Sequence, residues 1–353
     1  MITKSFTRLL LLAVLVSVVS SCSTAHDFTI EIREPAKITF PPDVSNIVVV
    51  NNAVVPENND LETDYSFNNK ESYASATLNF DSAIWVSVAT LAKGIAAEEF
   101  FSDVMVHLEP IRLDNACMEI LQIPADIRRA IYTTTGADAI ISVDRCLFRY
   151  VQKIDKIDVG YEYSPHYIFV NAKAEANFTY SIYLRDRANP LTTFVLEDSL
   201  FYSSQVIGDS TLIYKTIPNE LIVETAAYMA EKAIPYFIPT WKEVNRVLYS
   251  SPESRMKEAR AYAKANKWNT AKEIWLQLYS QENKPSVQAR LANNLAIVSE
   301  VQDDLTQSLE WAQKAETLFQ GNKKETDWIT SYIASLRERI TNNLLLDKQL
   351  NNK

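Results

Sequence analysis

Thiols and imidazoles are the side chains best suited to nucleophilic or metal chemistry, and this 353-residue chain has three of each: Cys22, Cys117, Cys146, His26, His107 and His166. They are too few and too scattered for a metal site by spacing, and none is expected. Cys117 and Cys146 form an even pair, which in an oxidising compartment invites a disulfide if their Cα atoms come within about 7 Å. The alternative is two separately buried thiols. His166 lies in Tyr161-Glu-Tyr-Ser-Pro-His-Tyr167, a tyrosine-rich stretch that could hold a sugar or peptide, or simply form a hairpin tip. His107 falls in a strand and reads as structural. G-x-G-x-x-G, G-K-[ST], H-E-x-x-H and G-x-S-x-G are all missing from the sequence. Five glycines leave little capacity for a phosphate cradle, and no two acids sit in a recognisable hydrolase context. The chain therefore reads as a non-enzyme without a cofactor.

Cys22 closes the stretch Leu9–Cys22, LLLLAVLVSVVSSC, behind the basic residues Lys4 and Arg8. The uncharged run Leu9–Val19 is shorter than the roughly 20 residues a helix needs to span a bilayer, so it reads as the apolar part of a signal peptide over residues 1–21. Val19-Ser20-Ser21-Cys22 resembles the bacterial lipoprotein box. That resemblance implies cleavage before Cys22, a diacylglyceryl thioether on its thiol and a further acyl chain on its new amine. Each buried methylene contributes about 0.8 kcal/mol, so two or three chains anchor firmly. No acidic cluster follows Cys22, and the expected address is the cell envelope, lipid-anchored to the outer membrane and facing the periplasm. Losing Lys4 and Arg8 from the 35 basic residues leaves 33 against 44 acidic, a net of −11. With no basic stripe, that balance argues against nucleic acid and against a second, electrostatic membrane contact.

The elements that follow suggest an α+β domain over residues 22–250. Phe28–Ile32 alternates as a strand, and Ile47–Val50 is an apolar run of the buried-strand kind. Residues 53–80 are polar and without period, and read as a long surface loop. Asp81 is placed to cap a helix running to about Phe101, with Ile84, Val88, Leu91 and Ile95 on one face. A strand near Val104–Leu108 and a short helix from Pro124 to Gly136 come next, then a long strand over Ala139–Val151. Ala172 to Leu184 alternates dry and wet, which requires an antiparallel neighbour, supplied by Leu191–Tyr202 after the Asp186–Pro190 turn. Pro218 opens a helix to Phe237, and Trp241–Tyr249 is a last strand. The order suggests a mixed or antiparallel sheet with packed helices. The Gly136–Ile141 strand entry makes it similar in outline to small envelope-lipoprotein modules, such as the amino-terminal part of the Tol-complex propeller protein, curli-secretion lipoproteins and penicillin-binding-protein activators.

From Ser250-Ser-Pro-Glu253 onward the pattern turns all-helical, residues 251–353. Tyr262, Asn266, Trp268, Ala271, Trp275 and Leu278, with a weaker copy at Leu295, Ala296, Leu305, Ser308, Ala312 and Ala315, resemble the tetratricopeptide pattern. Glu258 and Ser308 depart from it, standing where the pattern has Leu and Ala. Trp328, Tyr332, Leu336 and Ile340 supply one further, capping helix. The resemblance implies a groove lined by the first helix of each repeat, which places Arg260, Arg290, Asn293 and Asn294 as candidate partner-binding residues. Lipobox, the Glu34–Asn52 opening, meander and tail together resemble uncharacterised lipoproteins of Bacteroidales-type bacteria, a family that brings no activity with it. The expected function is a protein-binding adaptor or assembly factor with an envelope partner. The alternative is a small-ligand or glycan binder using loops of the α+β domain.

Overall fold

The computed structural model describes residues 25–55, 60–67, 70–157, 167–207, 213–251, 253–319, 321 and 323–351. The signal segment, Cys22 and His166 lie outside these. In chain order the strands are β1 (Ala25–Glu34), β2 (Asn46–Asn51), β3 (Asp60–Phe67), β4 (Lys70–Thr77), β5 (Asp103–Val106), β6 (Ala139–Ile157), β7 (Tyr167–Leu184), β8 (Thr192–Ile207) and β9 (Thr240–Tyr249). The helices are α1 (Phe80–Ala97), α2 (Ala125–Thr135), α3 (Ile213–Phe237), α4 (Ser254–Lys264), α5 (Trp268–Gln281), α6 (Pro285–Val301), α7 (Leu305–Leu318) and α8 (Lys323–Asn351). The chain is an α+β region followed by an all-α one. It divides into two compact units, one comprising Pro35–Thr240 with the end of α8, the other the described residues through Glu34 with Trp241–Leu346.

The sheet unit is built on β6. Its first residues pair in parallel with β2 and its later ones with β3, while β7 lines its other edge antiparallel. β8 extends β7, β5 extends β2 in parallel, and β4 extends β3 antiparallel. The sheet is therefore mixed. Ile47–Val50 is fully buried because both faces of β2 are covered. Ile47 and Val49 enter the core with Ile84, Val88, Leu91 and Ile95 of α1, while Val48 and Val50 pack with Ile131 and Tyr132 of α2. Opposite facing of successive residues makes one apolar run serve two cores. The alternating stretch of β7 likewise sends Ala172, Ala174, Ala176, Phe178, Tyr180 and Ile182 to the α1 side, shared with Ala226, Met229 and Ala233 of α3. α1 and α3 approach so closely at Gly94 that an added Cβ would lie 2.2 Å from Ile234 Cδ1.

Four local expectations are revised here. Residues 60–67 and 70–77 form the paired strands β3 and β4 in place of a loop, carried by backbone pairing that a polar sequence does not advertise. α1 is capped by Asn79, whose side chain accepts from Ser82 N–H; Asp81 sits in the first turn, and the helix stops at Ala97. Pro218 lies inside α3 and does not open it. β9 forms where expected but leaves the main sheet to pair with β1. Gly136, at φ +70°, ends α2 in the left-handed conformation as its position implied.

The helical unit packs α4 to α8 around Met256, Ala263, Ala271, Trp275, Leu295, Ala312 and Leu336, together with Leu248 and Tyr249 of β9. Its turns repeat. Asn266, between α4 and α5, and Asp303, between α6 and α7, both adopt positive φ (56° and 60°), and Ala271 and Ser308 stand five residues after each, fully buried. A small side chain at that point lets paired helices close up. α6 is buried from Leu291 through Glu300. It is the central helix of the unit.

Candidate functional site

Three of the four residues expected to line an open groove have other tasks. Asn293 and Asn294 are fully buried and bind β9. Asn293 Nδ2 donates to the Val247 carbonyl at 2.7 Å, and Asn294 takes both Tyr249 N–H (2.8 Å) and Tyr249 C=O (2.7 Å). The amide of Asn294 thus stands in for a neighbouring strand. Arg290 is half-buried, donates twice to Glu325 Oε1 (3.2 and 3.0 Å) and lies over the Tyr249 ring. Arg260, also half-buried, lies near His26 of β1. His26 is held below its ordinary value by burial and then by Arg260 and Lys264, with Asp27 opposing. α6 turns Arg290, Asn293 and Asn294 toward β9, a strand that the repeat pattern does not contain.

Cys117 and Cys146 are free thiols, the former half-buried and the latter buried. Cys146 points from β6 into the core beneath α1, and burial pushes its thiol far up. Its neighbour Arg145 donates to the Met118 carbonyl, next to Cys117, at 3.3 Å. Adjacent strand residues face opposite sides, so the sheet separates the two sulfurs. His107 follows β5, where its N–H donates to the Val49 carbonyl. Among the described residues no cluster of His, Cys, Asp and Glu could hold a metal.

Beneath the helical unit's surface Glu300 gathers four donors. Arg246 binds it twice, at 2.7 Å each, Tyr332 Oη donates at 2.8 Å and Arg339 at 3.0 Å. Arg246 is held above its ordinary value by Glu300 although burial opposes the charge, and burial followed by Glu300 raises Tyr332 well above the tyrosine range. The network ties β9, α6 and α8 at one point. Above it opens a cleft of about 470 Å³, lined by Phe28 and Glu31 of β1, Trp241 and Glu243 of β9, and Trp268 and Arg339 among others. Phe28 meets Trp268 edge-on at 5.3 Å. Trp241 is 57% exposed, with Arg33 5.7 Å from its ring centroid. Rings fixed by a rigid floor can bury an apolar side chain, and the exposed Glu31 and Glu243 can meet a cation beside it. Phe28, Trp241 and Trp268 were legible only as strand and repeat residues, because nothing in the sequence joins positions 28 and 241.

The sheet unit has its own buried carboxylate. Asp144 sits at the bulge in β6 between Val143 and Arg145, just past the end of β2. Its Oδ1 accepts from Ser142 Oγ (2.6 Å) and Asn52 Nδ2 (2.9 Å), while Oδ2 is buried without a partner among the described residues. Burial raises its pKa, opposed by the hydrogen-bonding groups of Ser142, Ser181 and Asn52 and more distantly by Arg112.

Fold and sites together define a mixed-sheet α+β domain joined to an all-helical one, with an aromatic cleft on the helical unit. Residues 44–249 match the model of a domain of unknown function, DUF8603, and the chain belongs to that family. Residues 257–338 match a second domain of unknown function, DUF6340. No curated protein matches the chain. Solved structures similar to parts of it include the following two. A neuraminyllactose-binding hemagglutinin homologue from Helicobacter pylori has 10% identity and a TM-score of 0.25, over 56% of this chain and 90% of its own. A PelC dodecamer from Paraburkholderia phytofirmans has 11% identity and a TM-score of 0.20, over 60% and 97%.

Proposed function

We propose that this protein is a non-enzymatic, lipid-anchored envelope lipoprotein, tethered through Cys22, whose helical unit binds an extended segment of another envelope protein as an adaptor or assembly factor. The observation that carries this reading is the exposed Trp241 in a cleft whose floor is locked by the Glu300 network. Supporting it is the recurrence of one left-handed turn and one buried small residue at Asn266–Ala271 and Asp303–Ser308, which favours a tetratricopeptide-like tail. The partner segment is to carry an apolar or aromatic anchor next to a lysine or arginine. The anchor fills the space between Phe28, Trp241 and Trp268, and the cation lies by Glu31 and Glu243. Aromatic anchors in a desolvated pocket contribute about 2 kcal/mol or more each, while the exposed carboxylates act mainly on association rate.

A labelled peptide pool with alternating aromatic and basic residues, titrated by fluorescence polarisation, tests this. Trp241→Ala is expected to weaken binding at least about tenfold, and Glu31→Gln/Glu243→Gln to remove its salt dependence. Equal binding by wild type and Trp241→Ala contradicts it.

A further inference from the structure

The geometry points to an oxyanion-binding site in the sheet unit, between α2 and the β7–β8 turn, that takes a small molecule or headgroup presenting a carboxylate or phosphate. The inference is independent of the aromatic cleft, since it concerns other residues and another unit. α2 places Arg128, Arg129, Tyr132 and Thr133 on one face, spaced as one helical turn requires, and the turn after β7 brings Arg185 and Arg187 opposite them. The depression between has a volume of about 430 Å³, the size of a small-ligand pocket.

The arginines differ in role. Arg128 is only 8% exposed and is spent on the turn. It donates from Nη1 to the Arg187 carbonyl (3.2 Å) and from Nη2 to the Ala188 carbonyl (2.7 Å), and its guanidinium lies 5.0 Å from the Tyr183 ring centroid. Arg185 reaches the Ala137 carbonyl from Nε at 3.2 Å and also from Nη2, and lies over the Tyr132 ring. These two fix the shape. Arg129 and Arg187 are exposed, and no side-chain partner is found for either among the described residues.

Charge balance then sets the ligand. Four guanidiniums line the depression against a single carboxylate, Asp186, in a chain whose net charge is −9. Among the described residues no carboxylate lies within ion-pair distance of any of the four. On the far side of the turn Asp43 and Asp138 share a smaller recess with Arg185 and Arg187, but Asp138 accepts the N–H groups of Ser45 and Asn46. A buried guanidinium satisfied only by carbonyls keeps its full charge, and desolvation makes that charge costly until an anion answers it. Two further polar atoms, Arg128 Nε and Tyr132 Oη, are buried there without partners among the described residues. Two exposed forks such as Arg129 and Arg187 match the oxygens of a carboxylate or phosphate, which a lone lysine does not.

The test is isothermal titration of the full chain with sodium phosphate, with sodium citrate and with phosphatidylglycerol vesicles, each against sodium chloride or phosphatidylcholine at matched ionic strength. The variant is Arg129→Gln/Arg187→Gln, whose side chains hold nothing in place and whose fold is checked by circular dichroism. Saturable binding of phosphate or citrate, at least about tenfold weaker in the variant, establishes a site for a soluble ligand. Binding of phosphatidylglycerol vesicles alone, lost in the variant, establishes the same site for a lipid headgroup. No saturable binding of any probe, or binding the variant leaves unchanged, overturns the proposal.

Discussion

The two units each bury a carboxylate, and they treat it in opposite ways. Glu300, in the helical unit, has two guanidiniums and a phenol on its two oxygens. Asp144, in the sheet unit, has a hydroxyl and an amide on one oxygen, and among the described residues no guanidinium reaches either oxygen. A buried charge is tolerable when its partners neutralise it and satisfy its lone pairs, and otherwise its desolvation is uncompensated. The contrast separates a group that organises its unit from one that its unit merely accommodates.

The largest effect expected from this contrast is at Glu300. Glu300→Gln leaves Arg246 buried without a countercharge and Arg339 with only the exposed Asp303, and is expected to destabilise the helical unit by about 3–5 kcal/mol. Tryptophan fluorescence in urea reads this unit selectively, because every tryptophan except Trp85 lies between residues 241 and 328. A loss below 1 kcal/mol would break the comparison. Next is Asn294→Ala, which strips both backbone groups of Tyr249 and is expected to cost about 2 kcal/mol in the same melt.

Asp144→Asn should have the opposite sign. The amide keeps an acceptor for Ser142 and Asn52 and removes the buried charge, so the sheet unit gains about 1 kcal/mol at pH 7. Because Asp144 has a raised pKa in the folded state, its protonated form is the one folding favours. Its penalty is therefore absent at low pH and grows as pH rises through the unfolded and then the folded value. The advantage of the variant should accordingly shrink on acidification, as read by hydrogen exchange of β7 amides.

A smaller effect is shared. Tyr132 in one unit and Tyr249 in the other are each pushed up to about 12, mainly by burial. Folding thus favours both phenols in the neutral form, and stability is expected to be constant up to about pH 10 and to fall between there and 12. Tyr249→Phe should reduce the part of that fall seen by tryptophan fluorescence, leaving what the buried Tyr332 contributes. Smallest of all, thiol labelling should modify Cys117 quickly and Cys146 only on unfolding, with no disulfide to reduce first.

Legibility in the sequence followed apolar periodicity. β7 and the buried face of α1 could be read from spacing alone, and Ile47–Val50 announced a strand covered on both sides. The β3–β4 pair could not be read, because its residues are polar and its order comes from backbone pairing. Asn293 and Asn294 were assigned to a groove by repeat position, yet the run Leu291–Val298 is apolar on every face around them, the mark of a helix buried all round. That signal could have moved them inside. The cleft and the arginine depression were illegible for a simpler reason. Each joins residues more than fifty positions apart, and distance in the chain hides their proximity.

The most direct test of the central claim is photocrosslinking in living cells, with the reactive side chain placed at position 243 in one strain and at position 260 in another. Only the first lines the aromatic cleft, and Trp241 stays in place in both strains. A discrete adduct from position 243, absent from 260 and lost with Trp241→Ala, is the predicted result. Adducts from 260 and none from 243 would contradict the cleft and return the partner to the face that the repeat pattern first suggested.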